Sequence, residues 1–286
     1  MKCLMCAAIA FALIGTGAAT AAEVETERMT WIEIRNAVAE GKSTIIIPTG
    51  GTEQNGPHMV TGKHNFIVKE TAKRIAVKLG DALVAPVMAY VPEGDIAKRE
   101  GHMAYAGTIS VPPEIFARVL AAAAESFVAH GFKTVVFLGD SGPNQEPQRL
   151  MAAELSKHWA EQGVRVMNAT AYYANNGGVD LLKSEGETPA SIGNHASIAD
   201  TSELLAVAPD GVRLDRRALD QDGVVGDPTR ATAERGEKLL TLKVAAAVKE
   251  IEAARQAPIE TAAPPSEDGP KNDDGILSRL WRWAFG

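Results

Sequence analysis

The chain has 286 residues, 45% of them hydrophobic, and its 29 basic and 36 acidic side chains leave a formal charge of −7. That length supports a sizeable buried core in one large domain. The acidic balance, without a basic stripe, zinc-finger spacing or internal repeat, argues against a nucleic-acid surface or a solenoid.

Lys2 is followed by an apolar stretch from Cys3 to about Ile14, a Gly15-Thr16-Gly17 break and the small residues Ala19-Thr20-Ala21. This pattern predicts a secretory signal over residues 1–22, because the apolar run falls short of the roughly 20 residues that span a bilayer. Cys3 and Cys6, the only cysteines, leave with that segment. The mature chain is therefore expected to be secreted or periplasmic, without a disulfide or a thiolate, and any metal site must draw on His, Asp and Glu.

Beyond the signal, helices and strands alternate. Trp31 to Glu40 reads as a helix and the β-branched run Ser43 to Pro48 as a strand. Asn65 to Leu79 carries apolar residues at helical spacing, and Ala82 to Met88 returns as a strand. Pro112 to His130 is a helix with prolines at its start and Gly131 at its end. Thr134 to Leu138 is a strand, Glu146 to Gln162 a helix and Val164 to Ala169 a strand, with Ile198 to Val207 and Thr229 to Arg255 completing the helical layer. The alternation predicts an α/β domain over residues 23–256 with a mostly parallel sheet joined by right-handed crossovers.

From Ala257 the composition changes. Pro258, Pro264, Pro265 and Pro270 among acidic residues predict a solvated linker over 257–275, followed by an aromatic and basic segment, 276–286, with Trp281, Trp283, Phe285, Arg279 and Arg282. Such a tail suits a lipid headgroup boundary, or packing on its own domain or a neighbouring subunit, and these readings stay open.

Two glycine-rich loops follow strand patterns and carry chemistry: Thr49-Gly50-Gly51-Thr52-Glu53-Gln54-Asn55-Gly56-Pro57-His58, and Gly139-Asp140-Ser141-Gly142-Pro143-Asn144-Gln145. Loops at the carboxyl ends of central parallel strands face a shared crevice, where open α/β enzymes place their sites. Together with Gly107-Thr108-Ile109-Ser110, the run His195-Ala196-Ser197-Ile198-Ala199-Asp200-Thr201-Ser202, and Gly223-Val224-Val225-Gly226-Asp227-Pro228-Thr229, these motifs resemble the creatininase (creatinine amidohydrolase) family in order and spacing from about Trp31 to Ile251.

That resemblance implies a metal-dependent hydrolase of cyclic or linear amides on a parallel sheet, commonly a homohexamer. The family's usual first motif is Glu-Gln-His-Gly-Pro-His, with an Asp eleven residues after the Glu, and its third strand ends in Asn-Gly-His. Here Asn55 stands at the first motif histidine, His64 at the bridging aspartate, and Asp140 at the histidine after the strand. With two ligand types exchanged, Glu53, His64 and Asp140 are the expected ligands of a zinc or manganese ion. Asn55 and the absence of the family's second acid near Gly142 favour one ion per chain. The resemblance makes His195 the candidate for acid-base or substrate contact and Asp200 the counterpart of a glutamate that closes the site. Asn55, His58, His102 and Asn144 are expected to line the substrate pocket.

Each residue also has a simpler role: Glu53 and Asp140 as turn acids, His64 as a helix cap, His58 as a loop brace. The expected function is hydrolysis of a C–N bond in a small amide. The alternatives are a peptide-processing hydrolase and a non-catalytic binding or scaffold protein that keeps the fold. Exchange of ligand types at two positions argues against the last, since random loss would not restore an imidazole and a carboxylate.

Overall fold

The runs Thr-Ile-Ile-Ile-Pro-Thr and Thr-Val-Val-Phe-Leu-Gly are buried at every position, as strands covered on both faces must be. In the computed structural model, which describes residues 23–219 and 222–259, they form the centre of a parallel sheet. Its strands among the described residues are β1 (Thr44–Thr49), β2 (Ala82–Val84), β3 (Thr134–Gly139) and β4 (Arg165–Asn168), in the order β2-β1-β3-β4. Ile45 stands beside Leu83 on one side and Val135 on the other. The predicted signal, most of the 257–275 linker and the 276–286 tail lie outside the described residues.

The helices are α1 (Trp31–Ala39), α2 (Lys63–Leu79), α3 (Pro113–Ala129), α4 (Gln145–His158), α5 (Thr170–Tyr173), α6 (Gly178–Ser184), α7 (Pro189–Ile192), α8 (Ile198–Val207) and α9 (Ala233–Gln256). Thr30 and Glu33 close a capping box on α1, and the Thr232 side chain caps α9 by accepting from Arg235 N–H. Two boundaries differ usefully from the sequence reading. α2 begins at Lys63 rather than Asn65, which places Lys63 and His64 in its first turn. β2 stops at Val84, and Met88 makes only an isolated bridge to Thr49.

The crossover from β1 to β2 runs one way along the sheet, and those from β2 to β3 and β3 to β4 run the other. Right-handed connections of opposite direction put α2 on one face and α3 and α4 on the other. α2 packs with α8 and α9, while α3 and α4 pack on each other. Phe116, Leu120, Phe132, Phe137 and the three isoleucines of β1 are buried in one core, each side chain contributing roughly 1.5–3 kcal/mol by its removal from water. The direction of the connections reverses between the parallel strands β1 and β3, so the loops leaving Thr49 and Gly139 diverge there and open the crevice.

Candidate functional site

Glu53, in the loop after β1, is 1% exposed. A buried carboxylate needs partners, and four cationic or imidazole groups approach it. His64 Nε2 lies 2.8 Å from Glu53 Oε1, His102 Nε2 3.0 Å from Oε2, Lys63 Nζ 3.7 Å from Oε1 and His195 Nδ1 3.8 Å from Oε1. Burial alone would raise the pKa of Glu53, but His64, His102 and Lys63 outweigh it and hold the group far below the usual carboxylate range.

The sequence-based ligand set is arranged differently from expectation. His64 stands between two acids: Nε2 faces Glu53, and Nδ1 faces Asp140 Oδ2 at 2.8 Å. Burial and Lys63 push its pKa down, while Glu53 and Asp140 more than compensate and raise it to about 9. With a proton on each nitrogen, His64 offers no electron pair to a metal. Asp140 is equally committed, since its Oδ1 accepts from Tyr172 Oη and Lys243 Nζ, each at 2.7 Å. Glu53, His64 and Asp140 thus form a hydrogen-bonded chain rather than a convergent ligand set.

The ligand atoms that do converge belong to Glu53, His102 and His195, all within 4.8 Å of one another. Zinc ligands at 2.0–2.1 Å in a tetrahedron stand about 3.3–3.4 Å apart; His102 Nε2 lies 3.0 Å from Glu53 Oε2 and His195 Nδ1 3.8 Å from Oε1, so each imidazole stands near that separation from one oxygen of the carboxylate. His195 Nε2 lies 3.0 Å from the Gln54 carbonyl; donating there, it leaves the electron pair of Nδ1 directed at Glu53, the orienting bond that metal-binding imidazoles use. One carboxylate and two imidazoles are a donor set that fits zinc or manganese.

His195 is held by backbone. It forms an antiparallel bridge with Val225, and at Gly193 any side chain would collide with the Val225 carbonyl. Asp200, in the first turn of α8, accepts from Ala196 N–H at 2.7 Å through Oδ2 and stands 3.3 Å from Lys63 Nζ through Oδ1. Although burial opposes it, Lys63 keeps the Asp200 pKa below its ordinary value, so the group is a carboxylate at neutral pH. His195 is shifted down by burial and by Lys63, which favours the neutral ring a ligand must be.

Asn55, His58 and Asn144 do not line the cavity. Asn55 Nδ2 donates to the Glu53 and Val60 carbonyls, and Asn144 Nδ2 donates to Thr49 and Gly50, so both amides tie loop backbone together. His58 Nε2 pairs with Thr201 Oγ1 at 3.0 Å, and burial lowers its pKa to about 4. Of the four residues expected to line the substrate pocket, His102 is the one that reaches the cavity.

Five polar residues escaped the sequence reading. Lys63, Lys243 and Glu203 line the cavity, and Tyr172 braces Asp140. Glu93 is 1% exposed; burial and the neighbouring Glu53 charge push its pKa up to about 9. Ser141 Oγ donates to its Oε2, while Oε1 has no protein partner. A side chain at Gly51 would fill the space that Glu93 Oε1 occupies. The signal available for Lys243 was its place in the stripe Leu239, Leu240, Val244 and Ala247, where a lysine occupies a core position.

The cavity measures about 570 Å³. Its lining includes the charged and imidazole groups of Glu53, Lys63, His102, His195 and Asp200 and the apolar side chains of Val179, Leu182, Ile192 and Leu239.

A family model described as creatininase, creatinine amidohydrolase, matches residues 27–251. The chain belongs to the creatininase family. This creatininase-family hydrolase is 27% identical over 228 residues to the mycofactocin precursor peptide peptidase of Mycolicibacterium smegmatis, covering 68% of this chain and 78% of the relative. It is 27% identical over 193 residues to the creatinine amidohydrolase of Pseudomonas putida, covering 66% and 73%. Among solved structures, a manganese creatininase superimposes with a TM-score of 0.67 at 23% identity, over 82% of this chain and 100% of that one. The creatininase fold is therefore the fold of this chain.

Proposed function

We propose that this creatininase-family hydrolase cleaves a C–N bond in a small linear or cyclic amide, using one zinc or manganese ion held by Glu53, His102 and His195. The observation that carries the reading is the convergence of those three ligand atoms in the lining of the cavity. A divalent ion bound there acidifies water and polarises a carbonyl. The protein supplies the rest. Lys63 places a buried ammonium beside Asp200 and Glu53, where it can offset charge developing on a carbonyl oxygen in a water-poor site. Asp200, ionised and facing the cavity, is the acceptor for a proton released during attack, and through Ala196 it also positions the His195 loop.

A second reading, a peptide-processing hydrolase, is favoured by the cavity itself. Its volume exceeds that of a small cyclic amide, and the apolar lining from Val179, Leu182, Ile192 and Leu239 suits an apolar side chain. We also propose that the mature chain acts outside the cytoplasm as a homo-oligomer, hexameric by family resemblance. Residues 1–22 support the location, and the 276–286 segment is a candidate for subunit or membrane-surface contact.

The test is elemental analysis of the dialysed mature protein, followed by hydrolysis assays on cyclic amides and short peptides with and without chelator. One ion per chain and chelator-sensitive hydrolysis are expected. A metal-free protein whose activity ignores chelation would sink the proposal, and turnover of peptides alone would favour the second reading.

A further inference from the structure

The same cavity is lined by a second cluster of buried charge that the proposed chemistry does not use. Lys243, on α9, sends its ammonium between two carboxylates, 2.7 Å from Asp140 Oδ1 and 2.9 Å from Glu203 Oε2. The Tyr172 ring lies 4.7 Å away on another side. All three neighbours suit a cation: two anionic oxygens and the negative face of a π system. Lys243, Glu203 and Asp140 are 9%, 7% and 4% exposed, so little water is available to stabilise the acids.

The helices are built to make this contact. α8 and α9 pack closely at Gly236, where any side chain would strike the Ser202 carbonyl. That approach brings Glu203 within reach of Lys243, two turns further along α9. Two acids this close and this buried repel strongly unless a positive charge lies between them. The position also faces the cavity, so a cation from solution has a route to it.

We propose that Lys243 is a built-in counter-cation, held between Asp140 and Glu203 in a position that would otherwise take a divalent metal ion. A tethered ammonium cannot dissociate. The chain thus fixes one positive charge permanently beside the site, whichever ion Glu53 holds. Asp140 is held in turn for His64, and His64 for Glu53.

The test is Lys243→Ala, which removes the ammonium and opens the space it fills. Wild type, Lys243→Ala, Lys243→Arg and the double variant Lys243→Met/Glu203→Leu are dialysed against Mn²⁺ and then against buffer, and their metal is counted. Lys243→Ala is expected to hold one more Mn²⁺ per chain than wild type, and its melting temperature should fall in chelator and recover with Mn²⁺. Lys243→Arg keeps a cation, and the double variant lacks one acid, so both should match the wild-type count. The proposal is overturned if Lys243→Ala matches wild type in metal count with a melting temperature indifferent to Mn²⁺. It is equally overturned if that variant is insoluble with and without Mn²⁺, since an ion then cannot replace the ammonium. The comparison is a difference from wild type, so a metal-free wild type would refute the Glu53 site without deciding this question.

Discussion

His102 and His195 lie side by side with ring centroids 4.6 Å apart, and each turns one nitrogen toward Glu53 and the other toward Gln54. Both imidazoles thus depend on the same acid and the same amide for their placement. His102→Ala, His195→Ala and Glu53→Gln are each expected to lose, under dialysis, the ion that the parent retains. His64→Ala should instead keep the ion and lose stability, by about 3–5 kcal/mol, because it leaves two buried carboxylates without their shared partner. Metal analysis and urea unfolding separate the two cases. Loss of the ion from His64→Ala with retention in His102→Ala would reverse the ligand assignment.

His58 gives the stability a pH dependence. Its folded pKa, lowered by burial to about 4, lies below the ordinary 6.5. Between those values the unfolded chain binds a proton that the folded chain rejects, so stability falls as pH drops from about 7 toward 4. Between pH 7 and pH 5 the expected loss from this group is about 2 kcal/mol. Denaturant unfolding of wild type and His58→Gln at both values checks it. An unchanged pH slope in the variant would remove His58 from the account.

Glu93 acts in the opposite direction. Its pKa is pushed from 4.5 to about 9, so the folded chain keeps a proton that the unfolded chain releases. The contribution is complete below 4.5 and is lost as pH rises through 9. Glu93→Gln carries no titrating group and is expected to unfold at a higher denaturant concentration than wild type at pH 9, with a smaller difference at pH 6. Equal midpoints at both values would mean that Glu93 is not held protonated.

The layered fold was readable because β1 and β3 combine β-branched residues with turn signals at both ends, and because α2 carries apolar residues at helical spacing and α3 has prolines at its start and Gly131 just after its end. Glu53 stands out as an acid on a glycine-rich loop after a central strand, whereas His195 and Asp200 are singled out by the resemblance to the creatininase family and not by their own loops. The pairing of ligands was not readable. His64 and Asp140 have ligand chemistry, and only the folded positions of Glu53 against His64, and of Tyr172 and Lys243 against Asp140, reveal that they are already engaged. Short helices such as Gly178–Ser184 and Pro189–Ile192 went unread because one or two turns carry too little periodicity to register.

The tail separates from the domain in a simple experiment. α9 ends at Gln256, and the Ala257 carbonyl still accepts from Arg165 Nη2 at 2.5 Å. A chain ending after Ile259 keeps that bond and should match the full chain in melting temperature and metal content. Any loss of subunit association or vesicle binding then belongs to the Trp281/Trp283 segment. A truncated chain that does not fold would place the segment in the core.

The first described residues guard a vulnerable edge. Val84 N–H donates to the Val24 carbonyl at 2.8 Å, Glu25 bridges Val84 in parallel, and Thr26 Oγ1 donates to the Val84 carbonyl. This short segment covers the outer side of β2, which would otherwise offer unpaired backbone groups to another chain. A cut after Ala22 preserves the cover, whereas trimming four residues further would strip it. Residues 23–26 therefore protect solubility: a chain cut back to Glu27 would expose β2 as a template for strand-to-strand aggregation.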